Sequence, residues 1–303
     1  AAFLLRLTAM CVESSFLWLH SVAKGGCLPY TVFSAAMQVL NSDARIDVEV
    51  AGDGDAVVLL HGFPLSRRIW DASMHALTRA HRVVAMDLRG MGASSVPDGP
   101  YLMESLAGDV AAVLDALGIE RATLVGHSLG GYVALAFARM YVERLDRLAL
   151  VASRITADTP ERSAYRFAMA DDAERSASSA RIIAEMLDAT LGATTRRERR
   201  EIVEKFKEIA EKNDPGGLAA MLRGMALRDG AEDIAGDLHV PVLVVTGAED
   251  AGIPAADAER TAAAFPAGRL VTLDRSGHVP MLEVPEELSA CLLRWLGQPA
   301  SAE

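Results

Sequence analysis

Ala122-Thr123-Leu124-Val125-Gly126-His127-Ser128-Leu129-Gly130-Gly131 opens as a short apolar run and leads into a helix-like stretch from Tyr132 to Tyr141. A serine between glycines, at the point where a buried strand turns sharply into a helix, sits in strained backbone geometry with its hydroxyl exposed. Small residues at 126 and 130 let the strand and the helix approach closely. The helix N-terminus beneath Ser128 offers unpaired N–H groups and a positive dipole end to developing negative charge. A nucleophile needs such surroundings.

The flanking segments give this turn a sheet to stand on. Ala56 to Leu60, Arg82 to Met86, Leu145 to Ala152, Pro241 to Thr246 and Arg269 to Leu273 are further short apolar runs, each ending in a polar or glycine-rich loop. Such runs, alternating with helical patterns, predict strands buried on both faces of a mostly parallel α/β sheet. Arg45 to Val50 alternates polar and apolar, and Gly52-Asp53-Gly54-Asp55 then predicts a hairpin into the strand at 56–60. Leu102, Leu106, Val110, Val113, Leu114 and Leu117 recur at helical spacing up to Gly118, and a last helix is expected from Pro285 to Leu296.

Residues 154–237 break the rhythm, with amphipathic helical stretches and no convincing strand. Ile202, Val203, Phe206, Ile209 and Ala210 share a helix face, and the basic run Arg196 to Arg200 reads as solvated surface. An insertion of this length between two strands predicts a helical cap over the pocket. The α/β core then comprises residues 37–153 and 238–303. Met169, Met186, Met221 and Met225 are candidate lining residues of the cap.

The net charge of -11 argues against nucleic acid or an anionic membrane as the partner and favours a small uncharged molecule. Cys11, Cys27 and Cys291 lack metal-site or disulfide-framework spacing, so reduced thiols in a cytoplasmic protein are expected. Residues 1–36 differ in pattern from the remainder of the chain: charged residues interrupt their apolar runs before any reaches membrane-spanning length. They read as an extension preceding the domain, a weak secretory leader being the alternative.

A serine hydroxyl is a poor nucleophile without a base to take its proton and an acid to orient that base. Of seven histidines, only His278 falls on a predicted loop at the same sheet end and after a candidate acid. Asp250 is preferred to Glu249, because its shorter side chain precedes the tight turn Ala251-Gly252-Ile253-Pro254. In His61-Gly62-Phe63-Pro64, Gly62 and Pro64 fix the loop and free the Phe63 N–H as an oxyanion donor. His61 and His127 are expected to shape loops and the pocket floor, and Trp70 to be either core or pocket wall. Asp87 and Arg89 read as a loop-fixing ion pair.

From about Met37 to Leu296 the chain resembles the α/β-hydrolase family, specifically its cap-bearing carboxylesterase and lactonase-like members. His61 to Pro64, Asp87 to Ser94, Gly126 to Gly130, Gly247 to Asp250 and Gly277-His278 carry the resemblance, in the order Ser, Asp, His that accompanies a nucleophile elbow. It implies Ser128 as nucleophile, His278 as general base and acid, Asp250 as its orienting carboxylate, and the N–H groups of Phe63 and Leu129 as the oxyanion hole. No metal or cofactor is implied, and water accepts the acyl group. Dehalogenases and epoxide hydrolases of this fold carry aspartate at the Ser128 position. Carbon-carbon bond hydrolases usually have asparagine before the serine, and perhydrolases typically show Phe-Ser-Met. The expectation is therefore an esterase for short to medium acyl chains, on a small-to-medium pocket lined by Phe63, Trp70, Leu129 and cap residues. Lactone or carbon-carbon hydrolysis, acyl transfer to another acceptor and a non-catalytic receptor are the alternatives.

Overall fold

The computed structural model describes residues 34–298. Eight strands form one sheet: β1 (Ser34–Asn41), β2 (Ala44–Ala51), β3 (Ala56–Leu60), β4 (Arg82–Met86), β5 (Ala122–His127), β6 (Leu145–Val151), β7 (Val242–Gly247) and β8 (Gly268–Leu273). Their order is β1-β2-β4-β3-β5-β6-β7-β8, with β1 and β2 antiparallel to their neighbours and every later pairing parallel.

The central strands β3, β5 and β7 are buried at every position, as parallel strands covered on both faces must be. Side chains of these strands and of β6 alternate between two cores. Val58, Leu60, Leu124, Leu148 and Val244 join one cluster, while Val57, Leu59, Val125, Ala149 and Val245 join the other. The first face is covered by α2 (Met103–Ala116) and α3 (Leu129–Met140), and the second by α1 (Asp71–Leu77) and α12 (Pro285–Leu296). The apolar spacing of 102–117 thus reads correctly as a helix, and Gly118 stops it at φ +64°.

Two expectations are corrected here. The hairpin is β1–β2, turned at Ser42-Asp43, and β4 stands between β2 and β3. Gly52 (φ +77°) and Gly54 (φ +101°) lay the connection against the turn before β4, so closely that a Cβ on Gly52 would meet the His81 carbonyl at 2.3 Å. Wholly apolar, β3 takes a partner on both edges, β4 and β5. Ser34 to Ala36, assigned to the extension from sequence, pair with Ala51 to Glu49 as the start of β1. The rest of that extension, with Cys11 and Cys27, lies outside the described residues.

Between β6 and β7 the chain runs through α4 (Pro160–Ser176), α5 (Ala180–Thr190), α6 (Ala193–Glu198), α7 (Arg200–Ala210), α8 (Pro215–Ala226) and α9 (Glu232–Ala235). Thr159 and Asp214 cap α4 and α8 with their side chains, each followed by proline at the first helical position. On α7, Phe206, Ile209 and Ala210 are buried and Ile202 and Val203 half-buried, as the sequence pattern predicts. The basic run is less free than expected, since Arg199 donates to the Glu283 carbonyl. After β7 come α10 (Ala255–Ala263) and, before α12, α11 (Pro280–Glu283). Among the described residues no helix is long and apolar enough to cross a membrane.

Candidate active site

Ser128 lies between β5 and α3 at φ +49° and ψ -109°, a region costing a non-glycine residue about 1–3 kcal/mol. Its neighbours hold it there. The Ser128 N–H donates to the Val151 carbonyl at 2.9 Å, and its own carbonyl accepts from the Gly131 N–H at 2.9 Å and the Ser153 hydroxyl at 2.8 Å. The glycines are required by contact: a Cβ on Gly126 would meet the Gly130 carbonyl oxygen at 2.3 Å, and one on Gly130 the Leu60 carbonyl oxygen at 2.3 Å.

The loops after β7 and β8 bring the other two partners. Ser128 Oγ donates to His278 Nε2 at 2.9 Å, and His278 Nδ1 donates to Asp250 Oδ2 at 2.9 Å. An ionised carboxylate only accepts, so Asp250 fixes the proton on Nδ1 and leaves the Nε2 lone pair facing the serine. The second oxygen, Oδ1, accepts from the N–H groups of Gly252 at 2.8 Å and Ile253 at 3.0 Å. Burial pushes the Asp250 carboxyl up, but His278 and these N–H groups outweigh it and hold it below the ordinary aspartate value. Glu249 is occupied elsewhere, accepting from the N–H and hydroxyl of Thr194 at 2.7 and 2.5 Å.

Among the described residues the N–H groups of Phe63 and Leu129 have no protein acceptor. Leu129 is the first residue of α3, where no intrahelical acceptor exists. Phe63 follows β3, the strand adjoining β5. Both residues therefore follow the carboxyl ends of neighbouring strands, and Phe63 lines the same cavity as Ser128.

Several assigned residues lie behind the site. His61 is fully buried; its Nδ1 donates to the Gly62 carbonyl at 3.0 Å and its Nε2 accepts from the Leu88 N–H at 3.0 Å. His127 Nε2 donates to the His278 carbonyl at 2.8 Å. Burial, aided by neighbouring His278, pushes His127 down to about 3, and burial likewise lowers His61 against the opposing pull of Asp87. Both stay neutral and shape loops; neither lines the cavity. Trp70 is 0% exposed in the second core with Leu65 and Leu77, so it is core and not pocket wall. Leu129 is also fully buried, contributing backbone only. Asp87 and Arg89 do not pair. Asp87 accepts from the N–H groups of Arg67 and Ala93, whereas Arg89 makes a bidentate contact with Asp109 at 2.7 Å.

Ser128 and His278 open into a cavity of about 770 Å³ beneath the inserted helices, lined also by Phe63, Met169, Met186 and Met225. Met221 is buried in the first core instead. Sequence reasoning missed three supports of the site. Buried Glu283 accepts from the N–H groups on both sides of His278. Asn213 donates to the Pro64 carbonyl at 2.7 Å and accepts from the Gly92 N–H at 2.7 Å. Arg154, Arg162 and Arg166 enter the cavity wall with Tyr132. None of these residues lies in a motif or a periodic pattern, and the partners of Asn213 lie more than a hundred residues away in sequence.

A family model described as alpha/beta hydrolase fold matches residues 55–285. A malate-bound thermophilic esterase from Thermogutta terrifontis is similar in structure, with a TM-score of 0.84 and 34% identity over 86% of this chain and 98% of that one. The enol-lactonase from Burkholderia xenovorans LB400 aligns with a TM-score of 0.79 and 25% identity over 87% of this chain and 100% of that one. In sequence, the pimeloyl-[acyl-carrier protein] methyl ester esterase of Nitrosomonas europaea is 28% identical over 82% of this chain and 98% of its own length.

Proposed function

The chain belongs to the alpha/beta hydrolase fold family, and from that premise we propose that it is a serine hydrolase of carboxylic esters, with short to medium acyl chains as its substrates. The observation that carries this reading is the unbroken path from Ser128 Oγ through His278 to Asp250, with 2.9 Å at both steps, opening into a cavity.

Ser128 attacks the ester carbonyl while His278 Nε2 takes its proton, and the imidazolium that forms is stabilised by Asp250. The Phe63 and Leu129 N–H groups hold the tetrahedral oxyanion. His278 returns the proton to the leaving alcohol, giving an acyl-enzyme, and water then repeats the sequence to release the acid. The inserted helices act as a cap that encloses the reacting bond. No step calls on a metal or an organic cofactor. The relatives named as esterases support the ester reading, and the enol-lactonase marks lactones, which present the same carbonyl, as the second reading.

The test is hydrolysis of p-nitrophenyl esters with two to sixteen acyl carbons by the wild type and Ser128→Ala. We expect turnover that falls steeply beyond medium chains and drops by several orders of magnitude in the variant. A wild type inactive on every ester and lactone, and unlabelled at Ser128 by a serine-directed phosphonate, would overturn the reading.

A further inference from the structure

In a chain of net charge -11, the wall of the Ser128 cavity gathers four arginines alongside four carboxylates, Asp158, Glu161, Glu185 and Asp257. Arg154, Arg162, Arg166 and Arg260 line it, and Arg228 lies behind with its guanidinium 3.8 Å from the Tyr132 ring. Two carboxylates serve all of them. Asp158 accepts from Arg166 at 2.5 Å and Arg228 at 3.0 Å and lies 3.8 Å from Arg162. Asp257 meets Arg154 at 3.3 Å and also pairs with Arg260. The other two carboxylates of the wall pair with none of these arginines. Glu185 is taken by Arg181 at 2.8 Å and by the Tyr165 hydroxyl, and Glu161 is exposed at the first turn of α4.

Arg154 stands out within this group. Its Nε and Nη2 are buried and make no hydrogen bond of ordinary geometry among the described residues, with Tyr132 the neighbouring acceptor, a costly state for charged donors. It is also near the chemistry, directly following Ser153, whose hydroxyl donates to the Ser128 carbonyl. Tyr132, one helical turn beyond Ser128, reports the local field. Burial pushes its phenol up, yet Arg228, Arg166 and Arg154 outweigh burial and hold it below the ordinary tyrosine value. An added negative charge is favoured here.

We propose that Arg154, with Arg162 and Arg166, forms an anion subsite, and that the preferred substrate is an ester that also carries a free carboxylate. The inference rests on the serine-hydrolase reading for its reaction. The carboxylate stays intact; it accepts charge-assisted hydrogen bonds while the ester carbonyl meets Ser128.

The test compares isosteric pairs: monoethyl glutarate with ethyl 5-methylhexanoate, where the charge is on the acyl side, and carboxymethyl butyrate with isobutyl butyrate, where it is on the alcohol side. At least one anionic ester should exceed its neutral partner by about tenfold or more in kcat/KM. That ratio should fall towards one in Arg154→Gln, mainly through KM, and the pair that responds identifies the side. On the wild type alone, glutarate should inhibit hydrolysis of the neutral ester competitively, and less so at high salt. Neutral esters turned over as well as both anionic ones, with no inhibition by glutarate, would overturn the subsite. If neither kind of ester is hydrolysed, the serine-hydrolase reading is lost and glutarate binding, read as thermal stabilisation, decides the subsite separately.

Discussion

His127 is enclosed beneath the site, its ring centroid 5.3 Å from that of His278, and burial with that neighbour lowers its pKa to about 3 from an ordinary 6.5. The linkage has a definite sign. Between those two values the unfolded chain binds a proton that the folded protein refuses, so stability is complete above pH 6.5 and is lost as the pH falls. This residue alone removes about 2 kcal/mol between pH 7 and pH 5. His127→Gln keeps a donor for the His278 carbonyl and abolishes the titration. Urea unfolding at pH 5, 6 and 7 should show a shallower acid slope in the variant, with the His61 contribution remaining. Equal slopes in both proteins would show that His127 takes up its proton as readily in the folded as in the unfolded state.

At the scale of elements, the segments that meet at the candidate site were legible because each is a strand end with a local requirement. Gly126 and Gly130 make the elbow, Gly62 and Pro64 fix the loop after β3, and Asp250 precedes a turn whose N–H groups hold its other oxygen. The strand order around β2 was not legible, because a turn of glycines fixes where a chain bends but not which strand it then meets. Nor was Glu283, since the donors it satisfies come from α5–α6 and from the His278 loop, far apart in sequence. Its Oε1 accepts from Gly277 at 3.0 Å and Val279 at 3.1 Å, and its Oε2 from the Gly192 N–H at 2.9 Å and the Thr195 hydroxyl at 2.6 Å. With the His278 N–H donating to the Thr190 carbonyl at 2.7 Å, the His278 loop is tied to the helical insertion. Glu283→Ala leaves these donors buried and unpaired, at a cost of about 3 kcal/mol or more. It should lower kcat with little change in KM and slow phosphonate labelling of Ser128, and Glu283→Gln should fall between it and the wild type. A folded Glu283→Ala variant with unchanged kcat would show that His278 needs no such support.

For the molecule as a whole, the insertion belongs to the same packing as the sheet. Leu218, Met221 and Leu222 of α8 join the first core, while Ile183 of α5 and Phe206 and Ile209 of α7 join the second, so inserted helices contribute to the cores on both sheet faces. Asn213, between α7 and α8, bonds both to the Phe63 loop through Pro64 and to the loop after β4 through Gly92. Unfolding α8 alone would therefore expose core side chains and release the Phe63 loop together, a loss close to that of global unfolding. The outer helix α4 is different: only Met169, Ala170 and Ala173 of its residues are buried. Substrate admission is accordingly expected through movement of α4, with α7 and α8 remaining in place. Native-state hydrogen exchange tests this division. Amides of α8 should exchange with the free energy and denaturant dependence of β5, and those of α4 faster and with little denaturant dependence. If α8 instead exchanged early and independently of denaturant, the insertion would open as a whole and the Phe63 loop would be fixed only on closure.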